Sequence, residues 1–374
     1  MRIFRDPEKL NPNYIPEKLP HREKNINELV SFFHPGLSTV SVQVIGPAGV
    51  GKTSVSISAG RLLKRRGLKT LYVNLKIMSS KLMVYNSLIE QLLSGASTRS
   101  MRPEELYVKF LKIAEKTGGR YLIILDEVSY FIQTTGDTSI VYELTRINEL
   151  SPFTGYDNIA GIIFIARDYG WRKMLDSSER SSLGNLIVKL DKYSVEQLVD
   201  IIHYRASQAF KRGVMPLDVI EYIAELTYNE ANSDVRYALD LLLYAGTLAE
   251  NRGDSRVTLD HVREVVSKLS PYVSREDIIN LTKSEKLALL ALAYALKGSS
   301  EGYVSFTDVV EMYEDVCREF RVYNCNIKKL ERALQNLISK AIVVTSGLRL
   351  TVNVPTDKLI GFVENLIDQI SQQI

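Results

Sequence analysis

The chain is poor in the features that mark secreted, metal-bound or membrane-spanning proteins. It has two cysteines, Cys317 and Cys325, eight residues apart, with no CxxC pair and no Cys/His cluster beside them. Such sparse usage reads as reduced thiols of an intracellular protein and offers no metal site. No apolar run approaches the ~20 residues that a membrane helix needs. The first ten residues, MRIFRDPEKL, carry charge where a signal peptide has its apolar core. A cytoplasmic chain with no membrane partner is expected. Repeats and low-complexity tracts are absent, and net charge is small: 47 Lys and Arg against 44 Asp and Glu, formally +3. Overall charge therefore selects no partner, and only its distribution can.

With 374 residues, 45% of them hydrophobic, the chain can build two or three domains. Residues 1–190 read as α/β. Strand-like runs at 39–45, 70–75, 121–125, 161–166 and 185–190 alternate with helical segments, the pattern of a parallel sheet covered by helices. Residues 191–272 read as a small helical domain, with helices expected at 194–212, 216–229, 233–252 and 258–269. Residues 280–374 give three helices and then a hairpin turning at Ser346-Gly347, which is the order of a winged helix.

The sharpest motif is Gly46-Pro47-Ala48-Gly49-Val50-Gly51-Lys52-Thr53, a GxxxxGK[ST] loop after an apolar strand and before a helix that opens with Ser54 and Val55. Its glycines let backbone N–H groups turn inward around phosphate oxygens, and the helix start adds partial positive charge. Lys52 would reach the terminal phosphates of ATP, and Thr53 would hold Mg²⁺. The run Tyr121–Leu125 ends in Asp126-Glu127, two acids at the ligand edge of the sheet. Asp126 would share the Mg²⁺ site, and Glu127 would orient or deprotonate the attacking water. A P-loop core followed by a helical lid suggests the AAA+ class. In the lid, Arg236 sits in the first turn of a helix, where it would sense the γ-phosphate. Tyr193 and Arg205 bracket the first lid helix, placed for the base and the phosphates.

Residues 318–349 hold seven cations against two acids. In the helix at 327–341, the apolar side is Ile327, Leu330, Leu334, Leu337, Ile338 and Ala341. Lys328, Arg332 and Gln335 recur on the other side, as on a helix that reads a major groove. Lys329 lies beside them, and Arg349 falls just past the wing tip, suited to phosphate.

Taken together, these motifs resemble the archaeal replication initiators of the origin-recognition and cell-division-control type, over nearly the whole chain. The stretch from Phe4 to Glu23, including His21 and Arg22, resembles the segment that encloses the adenine in that family. Tyr193 to Arg205 resembles its lid entry, and Asp234 to Asp240 its second sensor. The resemblance implies duplex origin DNA, a replicative helicase of the minichromosome-maintenance type and initiator paralogues as partners, with ATP or ADP and Mg²⁺ bound. It also implies a DNA contact from the long crossover before residue 121, for which Lys81, Arg99 and Arg102 are the candidates. Two positions depart from the family. Arg167 stands where a first-sensor asparagine is usual, and arginine cannot accept a hydrogen bond to place water. Ser178 stands where an arginine is usual, which leaves Arg180 as the substitute finger. The expected activity is a slow, switching ATPase at replication origins. A clamp-loader-like remodeller and an ATP-gated winged-helix transcription regulator are the alternatives.

Overall fold

The protein was analysed as a computed structural model, which describes residues 3–34, 39–98, 100–147, 149, 158–269, 275–322 and 325–371. It divides into two compact units. One holds residues 15–192; the other joins residues 1–14 to 193–374.

The first unit is a five-stranded parallel sheet. Its strands are β1 (Val40–Ile45), β2 (Leu68–Asn74), β3 (Arg120–Asp126), β4 (Ile159–Ala166) and β5 (Ile187–Lys189), in the spatial order β2-β3-β4-β1-β5. Strands β3 and β4 are buried on both faces almost throughout, as expected where crossover helices cover both sides. The helices of this unit are α1 (Glu23–Ser31), α2 (Lys52–Lys64), α3 (Lys81–Leu92), α4 (Pro103–Lys116), α5 (Val128–Thr135), α6 (Ser139–Thr145) and α7 (Ser177–Leu183). The strand order has one consequence for chemistry. Strands β1 and β3 flank β4, so the ends of all three emerge side by side at one edge of the sheet.

The second unit begins with residues 3–14, which pack on the lid: Phe4 stacks on Phe210 at 4.9 Å between ring centroids. The lid is α8 (Val195–Ala209), α9 (Leu217–Glu230), α10 (Val235–Arg252) and α11 (Leu259–Leu269). A short helix, α12 (Arg275–Ile279), leads to the winged helix. That is α13 (Lys283–Gly298), α14 (Phe306–Glu319) and α15 (Ile327–Ser339) around the antiparallel sheet β6 (Val304–Ser305), β8 (Arg349–Thr351) and β7 (Val344–Ser346). Thr282 and Ser305 cap α13 and α14 through reciprocal bonds with Glu285 and Asp308, as their spacing predicts. Two elements go beyond the sequence reading. Strand β6 makes the wing three-stranded, and α16 (Thr356–Ser371) follows it, burying Leu359, Ile360, Val363 and Ile367 in the winged-helix core.

The reading of reduced cysteines is corrected: Cys317 and Cys325 form a disulfide, their Cα atoms 6.4 Å apart. The bond ties the end of α14 to the residue before the cap of α15. Among the described residues no helix is long and apolar enough to cross a membrane.

The lid and the winged helix share a packed interface. Tyr222 of α9 meets Tyr303 edge-on at 5.6 Å, and a Cβ on Gly302 would run into the Tyr222 ring. Arg263 is buried between the two parts. It donates to Asp260 at 3.0 Å and to the Gly302 carbonyl at 3.3 Å.

Candidate functional site

At the end of β1 the chain turns through Gly49 and Gly51, both at positive φ (71° and 90°), which only glycine adopts without strain. Gly46 is fixed by crowding: a Cβ there would strike the carbonyl of Leu190. Gly51 becomes the N-cap of α2, and Val55 is buried one turn in. Pro47 and Ala48 stay at the surface, whereas Val50 is fully buried and anchors the loop. The Lys52 ammonium folds back over the loop and donates to the carbonyls of Gly46 and Pro47, each at 2.7 Å.

Arg22 is a positioning residue. Its Nε donates to the Val50 carbonyl at 3.1 Å and its Nη2 to the Asp191 carbonyl at 2.7 Å, so it fastens the loop to the exit of β5. His21, beside it, has an exposed side chain and a φ of 62°.

The Thr53 hydroxyl donates to Asp126 Oδ2 at 2.5 Å. The same oxygen accepts from the Tyr72 hydroxyl at 3.0 Å, and Oδ1 accepts from the Glu127 amide at 2.8 Å. Burial raises the Asp126 carboxyl above its ordinary range, against hydrogen bonds from Thr53 and Tyr72 that favour the anion. Tyr72 was not singled out from the sequence. It lies on β2, next to β3, and burial followed by the Asp126 charge pushes its hydroxyl well up, so it stays a donor. These residues fit a nucleoside triphosphate with magnesium. The loop offers inward backbone donors and one ammonium, while Thr53 and Asp126 offer only oxygen, the donor a hard cation prefers. When bound, the metal would neutralise phosphate charge.

Glu127 sits in the left-handed region, φ 58°, a strained setting for a non-glycine residue at a site. Arg167, at the end of the intervening strand β4, approaches its carboxylate with Nε at 3.7 Å. The sheet order brings them together. Arg180 lies exposed on α7, where its Nε donates back to the Asp176 carbonyl.

In the second unit, Ser233 Oγ donates to the Tyr193 carbonyl at 3.0 Å, joining the lid entry to the turn that opens α10. Tyr193 is buried and Arg236 is exposed in the first turn of that helix. Arg205 departs from expectation. It is buried, its Nε donates to the Lys9 carbonyl at 2.8 Å, and its Nη2 reaches the carbonyls of Lys9 and Asn11. It clamps the N-terminal segment to the lid instead of holding a free guanidinium toward phosphate.

On α15, Leu330, Ala333, Leu334 and Leu337 face the core, and Lys328, Lys329, Arg332 and Gln335 are exposed. The apolar side is narrower than its spacing predicts, because Ile327 and Ile338 are exposed. Two other candidate contacts change. Arg349 turns toward the lid, with Nη2 2.8 Å from Glu225 Oε1 and Nη1 3.7 Å from Glu301. Lys81 is only 12% exposed and bonds to Glu143 at 2.6 Å and Ser139 at 2.9 Å. Its ammonium organises the crossover and is not presented to a duplex. Arg102 is 79% exposed, 3.7 Å from Glu105. Arg99 lies outside the described residues.

A P-loop parallel sheet, a helical lid and a winged helix define a AAA+ ATPase with an appended winged-helix domain. Two family models match: the Cdc6 AAA+ ATPase-type lid domain over residues 199–267, and the CDC6 C-terminal winged helix domain over 276–350. The chain is 31% identical over 364 residues to an ORC1-type DNA replication protein of Thermococcus onnurineus, covering 92% of this chain and 86% of the relative. It is similar in fold to Cdc6p of Pyrobaculum aerophilum, with a TM-score of 0.81 and 24% identity over 98% of this chain and 99% of that one. It is also similar to the Aeropyrum pernix ORC1 protein, solved in complex with DNA, with a TM-score of 0.63 and 26% identity over the whole of both chains. The chain belongs to the family of ORC1-type DNA replication proteins. Its lid matches that of a AAA+ ATPase, a class built around a nucleotide site.

Proposed function

We propose that this protein is an ATP-switched replication initiator that grips duplex DNA at replication origins and helps to bring the replicative helicase there. The observation that carries this reading is the exposed basic face of α15, in a chain that also holds a complete phosphate constellation. Lys328, Lys329, Arg332 and Gln335 stand clear of the helix's buried side, as residues that meet base edges and phosphates must.

In this reading ATP is bound by residues 46–55, with Mg²⁺ at Thr53 and Asp126. Glu127 directs the attacking water, while Tyr193 and Arg236 report the nucleotide state from the lid. Arg180 serves a neighbouring subunit's site, and Arg102 is the remaining described cation for a second duplex contact. Hydrolysis is slow, because Arg167, 3.7 Å from the Glu127 carboxylate, cannot accept a hydrogen bond to place the attacking water. The working division is a nucleotide-binding core over 1–190, a lid over 191–272 and a DNA-binding winged helix over 280–374. A helicase of the minichromosome-maintenance type and initiator paralogues are the partners this role requires, in the cytoplasm.

Mapping the DNA fragments that the protein retains from its own genome tests the assignment. Enrichment confined to one or a few replication start sites supports it. Enrichment spread over promoters would assign a transcription regulator, and rapid ATP turnover without duplex retention would assign a remodeller.

A further inference from the structure

Several cations of the chain are committed to acids. Lys81 is held by Glu143, Lys340 by Glu285, Arg349 by Glu225, and Arg252 and Lys358 by Glu264. One stretch differs. Residues 61–69 read Arg-Leu-Leu-Lys-Arg-Arg-Gly-Leu-Lys, five cations without an acid. They form the last turn of α2 and the turn into β2. Arg61 donates to the Ile15 carbonyl, and Lys69 lies 5.9 Å from the Tyr121 ring centroid. Lys64, Arg65, Arg66 and Lys69 are exposed, and none is ion-paired to a described carboxylate.

Parallel pairing of Leu68 with Arg120 puts this turn at the N-terminal edge of the sheet, beside the turn that follows α4. Lys116 is exposed there, next to Glu115, the one acid on that turn. Asp126 is at the opposite end of β3. Seven strand residues at ~3.3 Å each separate the patch from the phosphate site by roughly 20 Å.

Two ordinary explanations fall short. Cations in a last helical turn complement the helix dipole, but one or two suffice, and Arg66 and Lys69 lie beyond the helix. Like charges at i, i+3 and i+4 also repel, and no acid within the stretch offsets that. A protein partner would need an apolar centre. The stretch offers only Leu62, 36% exposed, and nothing lies within 4 Å of where a Cβ on Gly67 would point. Open, acid-free cations without apolar surface match a polyphosphate backbone.

We propose that Lys64, Arg65, Arg66 and Lys69 form a phosphate-backbone contact for duplex DNA that reads no sequence and lies on the core away from the nucleotide. The inference stands on the core unit alone and uses nothing of the winged helix.

The test uses the full chain with ATP and a long random-sequence duplex, and measures affinity against salt. Lys64→Gln, Arg65→Gln and Arg66→Gln combined should flatten the log–log salt slope by about 2.7, three phosphates at about 0.9 each. The affinity ratio between the chain's retained genomic sequence and random DNA should not change. Lys328→Ala with Arg332→Ala should alter that ratio instead, so the two DNA surfaces fail separately. An unchanged slope would overturn the proposal. So would an equal flattening by Lys18→Gln, Lys173→Gln and Arg212→Gln, which remove as many exposed charges elsewhere. A triple variant that keeps its DNA slope but loses a polyglutamate peptide held by the unmodified chain would overturn it too, assigning the patch to an acidic protein.

Discussion

The phosphate site and the winged helix use cations in opposite ways. In the core, Lys52 is held by carbonyls five and six residues away, and the site is complete within one sheet edge. In the winged helix, the seven cations between 318 and 349 divide by long-range contacts. Arg349 is taken by Glu225, 124 residues away, and Lys340 by Glu285, 55 away, while Lys328 and Arg332 on α15 are exposed. A short motif fixes both the residues and their geometry. A charge pattern fixes only residue types, and which charges face a ligand is decided by the rest of the fold.

Five variants test this contrast, in descending order of expected effect. The largest effect is expected from Lys52→Ala, which removes the one ammonium of the phosphate site and should weaken ATP binding about 100-fold or more. Equilibrium titration with a labelled nucleotide measures it, and retained affinity would dissolve the first half of the comparison. Next, Lys328→Ala with Arg332→Ala should cost about 1–3 kcal/mol of duplex affinity per lost base contact. Arg349→Ala should leave duplex affinity nearly unchanged. It should instead lower stability by about 1–2 kcal/mol, since the half-buried Glu225 loses its partner. Duplex titrations and thermal melts of both variants, side by side, would reverse the assignment if Arg349→Ala proved the weaker DNA binder.

A smaller change is expected from Arg167→Asn, which frees Glu127 and supplies a side chain that both donates and accepts. Single-turnover hydrolysis should rise by about fivefold or more, roughly 1 kcal/mol off the barrier. An unmoved rate would mean that the Glu127–Arg167 pair does not limit turnover.

The smallest effect concerns Glu264, where α11 meets the winged helix. Burial alone would raise its carboxyl, but hydrogen bonds from Lys358, Arg252 and Lys268 outweigh that and bring it down to about 2 from 4.5. A folded value below the unfolded one means that its stabilisation is complete above pH 4.5 and lost as pH falls toward 2. Melting temperature should therefore fall over that window less steeply in Glu264→Gln than in the unmodified chain. Parallel curves would remove Glu264 from the clamp.

How much was legible in the sequence follows the same division. Residues 46–53 and the pair Asp126-Glu127 were readable because contiguous residues set their geometry and the flanking strands fixed the edge of the sheet. The capping boxes at Thr282 and Ser305 obey a local rule. Contacts between distant segments were not readable. Arg205 looked free for phosphate, but Lys9 and Asn11 take it from nearly 200 residues away. Lys81 looked like a duplex contact until Glu143 was placed beside it. The cysteine spacing of eight gives no Cα separation, so the disulfide needed the corner between α14 and α15. Helix α16 carries an amphipathic pattern, yet the winged-helix order was already complete without it. Its role depends on the winged-helix core that its apolar residues join.

In the proposed function, the nucleotide held by Lys52 and Thr53 governs the grip of α15 on DNA. The direct measurement is duplex affinity at one salt concentration with ATP and with ADP, in the unmodified chain and in Lys52→Ala. A clear difference between the two nucleotides is expected, and it should disappear in Lys52→Ala. Equal affinity with ATP and ADP in the unmodified chain, or a difference that survives in Lys52→Ala, would contradict it.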